Sequence, residues 1–255
     1  MLCITVSIHH IRHATSILVI NGKRILIDPM LSKAGGLSPV PLTRNYVRNP
    51  LVEMTVPLSV FQDIDAILLT HRHFDHWDKK ALSVLDKGLP VLCQPKDQAS
   101  VLSAGFSRAL PVDESLEWEG ISIKRIQGIH AYGLTGKLLG PVSGFILDSA
   151  QQGSVYIVGD CMLTPAIEEA FRKYAPDIAI VNTGEAQMIW GAVITMTRED
   201  VLRLARLSPK TKLAAVHMDA INHCKLSRRE LEVYLREQHC DGAVWIPEDG
   251  EVRIF

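Results

Sequence analysis

Short apolar runs separated by turn-forming residues recur along the chain, and two periodicities alternate among them. Aliphatic and β-branched residues cluster in 3–8, 16–20 and 24–27, which predicts three strands. Asn21-Gly22 lies between the second and third, a hairpin signal because both positions tolerate a left-handed turn. Further strands are predicted over 66–69, 91–92, 121–126, 142–147, 154–158, 177–181, 213–216, 243–246 and 252–255. Helices are predicted over 78–86, 96–103, 165–174, 197–207 and 227–238. Their starts carry the expected chemistry. Pro165 stands in a first turn, where its missing N–H costs nothing, and Thr197 precedes Glu199 and Asp200. Ser227 and Glu230 have the spacing of a capping box.

Strands dominate the first part of each half and helices interleave later. That order predicts an α/β fold of two mixed sheets packed together with helices outside. Between the early strands and residue 66 lies a long stretch, 30–57, punctuated by Gly35, Gly36, Pro39, Pro41, Pro50 and Pro57. A loop of this length in a compact domain is usually functional. With Arg44, Tyr46 and Arg48 in it, we expect a lid over an active site. The length, 255 residues, suits one large domain or two close-packed halves, and we expect a single domain over 1–255.

Charge narrows the partners. Lys plus Arg number 27 against 28 Asp plus Glu, a net charge of −1, so a nucleic-acid partner is not expected. No apolar stretch approaches the roughly 20 residues of a membrane span. The N-terminal run is interrupted by His9, His10, Arg12 and His13 and lacks a basic leader, which speaks against a signal peptide. The 5 cysteines are scattered without a CxxC pair, the usage of a reducing compartment, and a cytoplasmic protein is expected. Nothing in the pattern decides between a monomer and a homo-oligomer.

The unusual feature is histidine. The segment Thr70-His71-Arg72-His73-Phe74-Asp75-His76 follows an apolar strand and precedes a helix. On a continuing strand, period two would send His76 to the opposite face. At a strand end the backbone turns, and His71, His73, Asp75 and His76 can converge on one volume. Imidazole and carboxylate together suit zinc and similar divalent ions.

This His-x-His-x-Asp-His run resembles the signature of the metallo-β-lactamase-fold superfamily. His13-Ala14-Thr15-Ser16, with a hairpin leading to Asp28-Pro29, resembles the opening of the branch containing ascorbate-phosphate lactonase and N-acyl-phosphatidylethanolamine phospholipase D. The resemblance implies a four-layer αβ/βα sandwich with a site at its edge. It implies that His71, His73 and His130 hold one metal, that Asp75, His76 and His217 hold a second, and that Asp160 bridges them. The two ions would be divalent, zinc foremost, with manganese or iron as alternatives. His223, six residues beyond His217, is the competing terminal ligand, and otherwise lines the pocket. The pattern departs at Gly159-Asp160-Cys161, where the family commonly has Gly-Asp-Thr, and Cys161 is expected to be a small packed residue. His9, His10 and His239 are expected at the surface or in packing.

The chemistry so implied is hydrolysis of a small ester, lactone, amide or phosphodiester by a hydroxide held between two ions. No Gly-x-Ser-x-Gly elbow offers a serine instead. Asp75 and Asp160 are candidates to take the proton, and His13, His223 and Tyr46 to supply one to the leaving group. His13 and Asp28 are also candidates to orient the ligands from outside. A persulfide dioxygenase in the same superfamily keeps the histidine run but uses one iron, so an iron dioxygenase acting on a sulfur substrate is the alternative, with a non-catalytic metal-binding protein third. Met188 and Trp190 are candidates for an apolar pocket wall, and Arg44, Arg48 and Lys137 for receiving an anionic group.

Overall fold

The period-two pattern of the strands explains the layering. In the computed structural model, which describes residues 6–255 apart from Trp190 and Ala192, almost every central strand is buried on both faces. One sheet contains β1 (Ser7–Arg12), β2 (Thr15–Ile20), β3 (Lys23–Ile27), β4 (Ala66–Leu69), β5 (Pro90–Cys93) and β6 (Arg108–Pro111). The other contains β7 (Ser115–Trp118), β8 (Ile121–Gly128), β9 (Val142–Ser149), β10 (Gly153–Ile157), β11 (Ile178–Asn182), β12 (Lys212–Val216) and β13 (Val244–Trp245). The last strand, β14 (Val252–Ile254), crosses back to pair with β1, giving orders β14-β1-β2-β3-β4-β5-β6 and β13-β12-β11-β10-β9-β8-β7. Each sheet is mixed, with antiparallel pairing up to β3 and from β7 to β10, and parallel pairing beyond.

Alternate residues then face different layers. Ile25, Ile27 and Leu68 meet Ile123, Phe145, Ile157 and Ile180 between the sheets. Their neighbours Leu26, Ile67 and Leu69 pack outward with Ala81 of α1 (Lys79–Val84) and Val101 of α2 (Gln98–Ser103). Ala179 and Val181 pack outward against α4 (Pro165–Tyr174), α5 (Arg198–Leu207) and α6 (Arg228–Glu237). This is the αβ/βα sandwich. Burying both faces removes enough apolar surface, at roughly 25 cal/mol per Å², to make the two-sheet interior the dominant stabilising feature. The capping boxes at Thr197 and Ser227 are formed, each with its reciprocal side-chain bond.

Three elements went unpredicted. β6 and β7 are short, half-exposed strands whose polar residues hide the alternation. A short helix, α3 (Gly133–Leu139), buries none of its residues, so no apolar face betrays it. The first strand begins later than expected and runs through His10 and Arg12, both fully buried. Arg12 satisfies its charge by donating to the carbonyls of Met30, Ser32 and Val52, and these bonds tie down the start and end of the long loop. Residues 3–5 of the expected strand, Cys3 included, lie outside the described residues. No helix among the described residues is long and apolar enough to cross a membrane.

Candidate metal centre

The strands that carry the candidate residues all deliver them to one rim. Parallel strands β3 and β4 end at Asp28 and Thr70-His71, and β10, β11 and β12 run into Asp160, Asn182 and His217. β8 runs on to His130, and the turn between β1 and β2 carries His13. Such carboxyl ends are where an α/β sheet presents ligands.

Two main groups of donor atoms converge there, each within 4.8 Å of its own members: His71, His73 and His130, and His13, Asp75, His76 and His217; a third set, Asp28, His71 and His76, overlaps both. His71 Nε2 lies 2.9 Å from His73 Nδ1. His217 Nε2 lies 3.3 Å from His76 Nε2. Asp160 stands between the groups, with Oδ2 3.3 Å from His76 Nε2 and 3.8 Å from His130 Nε2, and Oδ1 3.2 Å from His217 Nε2. Asp75 Oδ2 is 3.8 Å from His76 Nε2 and 3.9 Å from His217 Nε2. All of these residues are buried except His73, which is half-buried.

The outward nitrogens explain why the inward ones are available. His73 Nε2 donates to the Leu139 carbonyl at 2.8 Å, and His130 Nδ1 to the Ile194 carbonyl at 2.7 Å. His76 Nδ1 is 2.8 Å from Asp28 Oδ2, and Asp28 is itself fixed by the Thr70 amide and hydroxyl. With its proton placed outward, each imidazole turns a lone pair inward, the arrangement that orients a metal ligand. Adjacent inward lone pairs repel unless a cation lies between them. The donor set therefore fits divalent ions.

Electrostatics points the same way. Burial pushes the His130 pKa down to about 4. Burial, then neighbouring His76 and His73, holds His71 well below the usual value. Both rings are neutral near pH 7, as ligands must be. Burial works against charge on Asp75 and Asp160, yet the surrounding histidines, led by His76 and His217 respectively, keep both carboxyls well below the usual range. Burial likewise opposes a charge on His76, but Asp160, Asp28 and Asp75 outweigh it and raise that pKa strongly. The position surrounded by these carboxylates favours a cation.

His13 stands closer to the site than its sequence position suggested. Its Nε2 is 3.2 Å from Asp75 Oδ2, and its ring lies 3.7 Å from that of His217, centroid to centroid. The His217 amide donates to the His13 carbonyl, and both residues adopt left-handed backbones, φ 61° and 74°. Non-glycine residues held there store strain that clusters at functional sites. His223 joins neither donor group. It is buried, with Nδ1 unpartnered, and burial pushes its pKa down to about 4. Cys161 is buried in the outer core of the second sheet, its thiol pushed up to about 12 by burial.

Sequence reading missed Asn182, whose Nδ2 donates to Asp160 Oδ1 at 2.6 Å. A polar residue closing an apolar strand was the available signal. It also missed an apolar cavity of about 350 Å³ beside the first donor group, walled by Leu139, Met162, Met188 and Ile194. Pro41 and Leu42 of the long loop reach this cavity. Tyr46 does not bring its ring inward and is 78% exposed. Arg48 donates to the Gly35 carbonyl, and Arg44 lines a separate groove with Lys225. Trp190 lies outside the described residues.

Residues 23–218 match the model of the beta-lactamase superfamily domain. The chain belongs to that superfamily. It is also 32% identical over 253 residues to the UPF0173 protein YddR of Bacillus subtilis, covering 98% of this chain and 100% of the relative. Two solved structures are similar at the same identity. A possible metal-dependent hydrolase from Veillonella parvula superposes with a TM-score of 0.96 and 32% identity, over 99% of this chain and 100% of the other. The isothiocyanate hydrolase from Delia radicum gut bacteria superposes with a TM-score of 0.94 and 32% identity, over 98% and 99%. Within the superfamily the chain is a metal-dependent hydrolase of the metallo-β-lactamase fold, the class to which further UPF0173 relatives are assigned.

Proposed function

We propose that this hydrolase works with two divalent ions, zinc foremost, and cleaves a small neutral electrophile bearing an apolar group. One observation carries the reading: two groups of inward-facing donors, with Asp160 between them, stand beside a cavity lined by uncharged residues. In this reading His71, His73 and His130 would hold one ion, Asp75, His76 and His217 would hold the other, and Asp160 would serve both. The chemistry that divalent ions would supply there is activation of water at neutral pH and polarisation of the atom under attack. Among substrates, the 32% identical isothiocyanate hydrolase puts R–N=C=S first. Water adds across its C=N bond, and the thiocarbamate falls apart to R–NH2 and carbonyl sulfide. Esters, lactones and amides remain alternatives. A phosphodiester fits less well, because the cavity wall offers its charge no cation.

The protein's own groups divide the remaining work. Asp75 Oδ2 and Asp160 Oδ2, held ionised, accept the proton that the attacking water gives up. His13, 3.2 Å from Asp75, fixes the direction of that carboxylate. His223, buried with Nδ1 unpartnered and neutral near pH 7, is the group left to hydrogen-bond the leaving nitrogen. The loop 30–57 closes one side and contributes to substrate choice through Pro41 and Leu42.

The deciding experiment combines metal analysis of the purified chain with a substrate panel on zinc- and manganese-loaded protein. The panel comprises 2-phenylethyl isothiocyanate, a phenyl ester, a lactone and a phosphodiester. About two equivalents of divalent metal and turnover of the neutral substrates are expected. A single iron with oxygen consumption would replace this reading with the dioxygenase, and absence of bound metal would end it.

A further inference from the structure

Helix α3 is unlike the other helices of this fold. It buries none of its seven residues and leaves Leu134 79% and Leu138 83% exposed. Tyr132, at its N-cap, is 66% exposed. The helix is bracketed by Gly133 and Gly140, whose backbones are left-handed at φ 64° and 81°. So much apolar surface on a short element gains nothing from core packing and marks a binding surface. What it borders is the cavity: Thr135, Leu138 and Leu139 line it together with Met162 and Met188.

Two bonds tie the cavity to the donors. The Leu139 carbonyl, at the end of α3, accepts from His73, and the Ile194 carbonyl on another wall accepts from His130. Gly136 lies against the backbone just after His130, where an added Cβ would meet the Ala131 oxygen at 2.1 Å. No room exists there for any larger residue unless α3 moves. Apolar cavities of about 150 Å³ take a benzene molecule. This one, at about 350 Å³ and open on one side, holds an aryl ring with a short alkyl linker or an alkyl chain.

We propose that α3 is the specificity-determining wall of the substrate site: it seats the substrate's apolar group against Leu138, Leu139 and Met162 and selects neutral substrates by the length of that group. This rests on the hydrolase reading above. The occupant follows from position, because the cavity begins where two candidate metal ligands are anchored.

The test uses the full chain, zinc-loaded, on alkyl isothiocyanates from methyl to hexyl. Each buried methylene should raise kcat/KM about fourfold until the cavity is full. Metal-free protein should bind Nile red with blue-shifted emission, displaced by 2-phenylethanol. In Thr135→Trp, which fills the cavity, and in Gly136→Ala, which pushes α3 off Ala131, the slope should fall below twofold per methylene and Nile red binding should weaken at least tenfold. Metal content should be retained in Thr135→Trp. A flat series in a wild-type protein that turns over methyl isothiocyanate would overturn the role of α3 and leave the hydrolase reading standing. If no member is turned over despite full metal content, the isothiocyanate reading fails, and Nile red displacement still decides whether α3 walls an apolar site. Nile red binding that disappears as the protein dimerises would assign the exposed leucines to a second copy of the chain, and would also overturn the proposal.

Discussion

At the residue scale, the site depends on imidazoles whose two nitrogens have separate tasks. His73 uses Nε2 to hold the Leu139 carbonyl and turns Nδ1 toward His71. Replacing it with Ala removes a donor outright. His73→Ala should lose at least one metal equivalent and reduce turnover by about a thousandfold or more, and wild-type metal content with wild-type turnover would refute the assignment. In the proposed two-ion site Asp160 would neutralise cations that repel one another at short range. Asp160→Asn keeps the shape and removes the charge, so zinc titration should show one of two sites weakened, the one nearer His217 and His76 first. Two sites of unchanged affinity would exclude a bridging role. Asp28 bonds His76 as well as the Thr70 amide and hydroxyl, and orienting partners of this kind typically contribute 10- to 100-fold in metal affinity. Asp28→Ala should fall in that range.

Among elements, the loop 30–57 is fastened rather than free. Asn222, buried next to His223, accepts from the Val40 amide and the Asn49 side chain and donates to Thr43 Oγ1, while its own amide donates to Asn49 Oδ1. The loop also donates from Leu51 to the Ala220 carbonyl, and its Leu42 carbonyl accepts from Ile189. One side chain thus locks the loop to the segment that follows β12. Asn222→Ala leaves several buried partners unsatisfied, at about 1–3 kcal/mol for each. A fall of several degrees in Tm is expected, together with a raised KM for apolar substrates. Unchanged KM would mean that the loop caps a core edge only. Tyr46→Ala and Arg48→Ala, at exposed positions, should leave Tm within a degree or two. A change in their kinetics would assign the loop tip to substrate choice, whereas unaltered kinetics at both would confine that choice to Pro41 and Leu42.

For the whole molecule, pH and metal act on the same buried cluster. Burial lowers the pKa values of His13, His71 and His130, the last to about 4. Between the folded value and the unfolded value of 6.5, the unfolded chain binds more protons than the folded one. Stability from these rings is therefore complete above about pH 6.5 and is lost as pH falls below it, for His130 down to about 4. His76 runs the other way, since its raised pKa adds stability in acid and withdraws it as pH rises. Burial also lowers His9, His10 and His223, so six lowered rings stand against one raised ring and leave a net loss in acid. The Tm of metal-free protein should drop between about pH 7 and pH 5. The rise in Tm caused by zinc should shrink over the same interval, because protons compete for the ligands. A Tm independent of pH across that range would contradict the burial of these groups.

The chain's own pattern decided the layers and the rim. Period-two apolar runs that are buried on both faces have few ways to pack other than between sheets and helices, so strand positions, capped helices and the histidine run at the end of β4 were legible from local chemistry. Residues that close apolar strands could be picked out as candidate ligands from the sequence. What tertiary structure alone decided are relations between segments far apart in the chain. These include the left-handed pairing of His13 with His217, the hold of Asn182 on Asp160, the lock of Asn222 on the loop, and a helix with no buried face set beside a cavity. Periodicity reports how a segment meets the core, and it is silent where a segment meets only another loop, a backbone carbonyl or a substrate. Those contacts become definite only when the sheets have brought the strand ends to one rim.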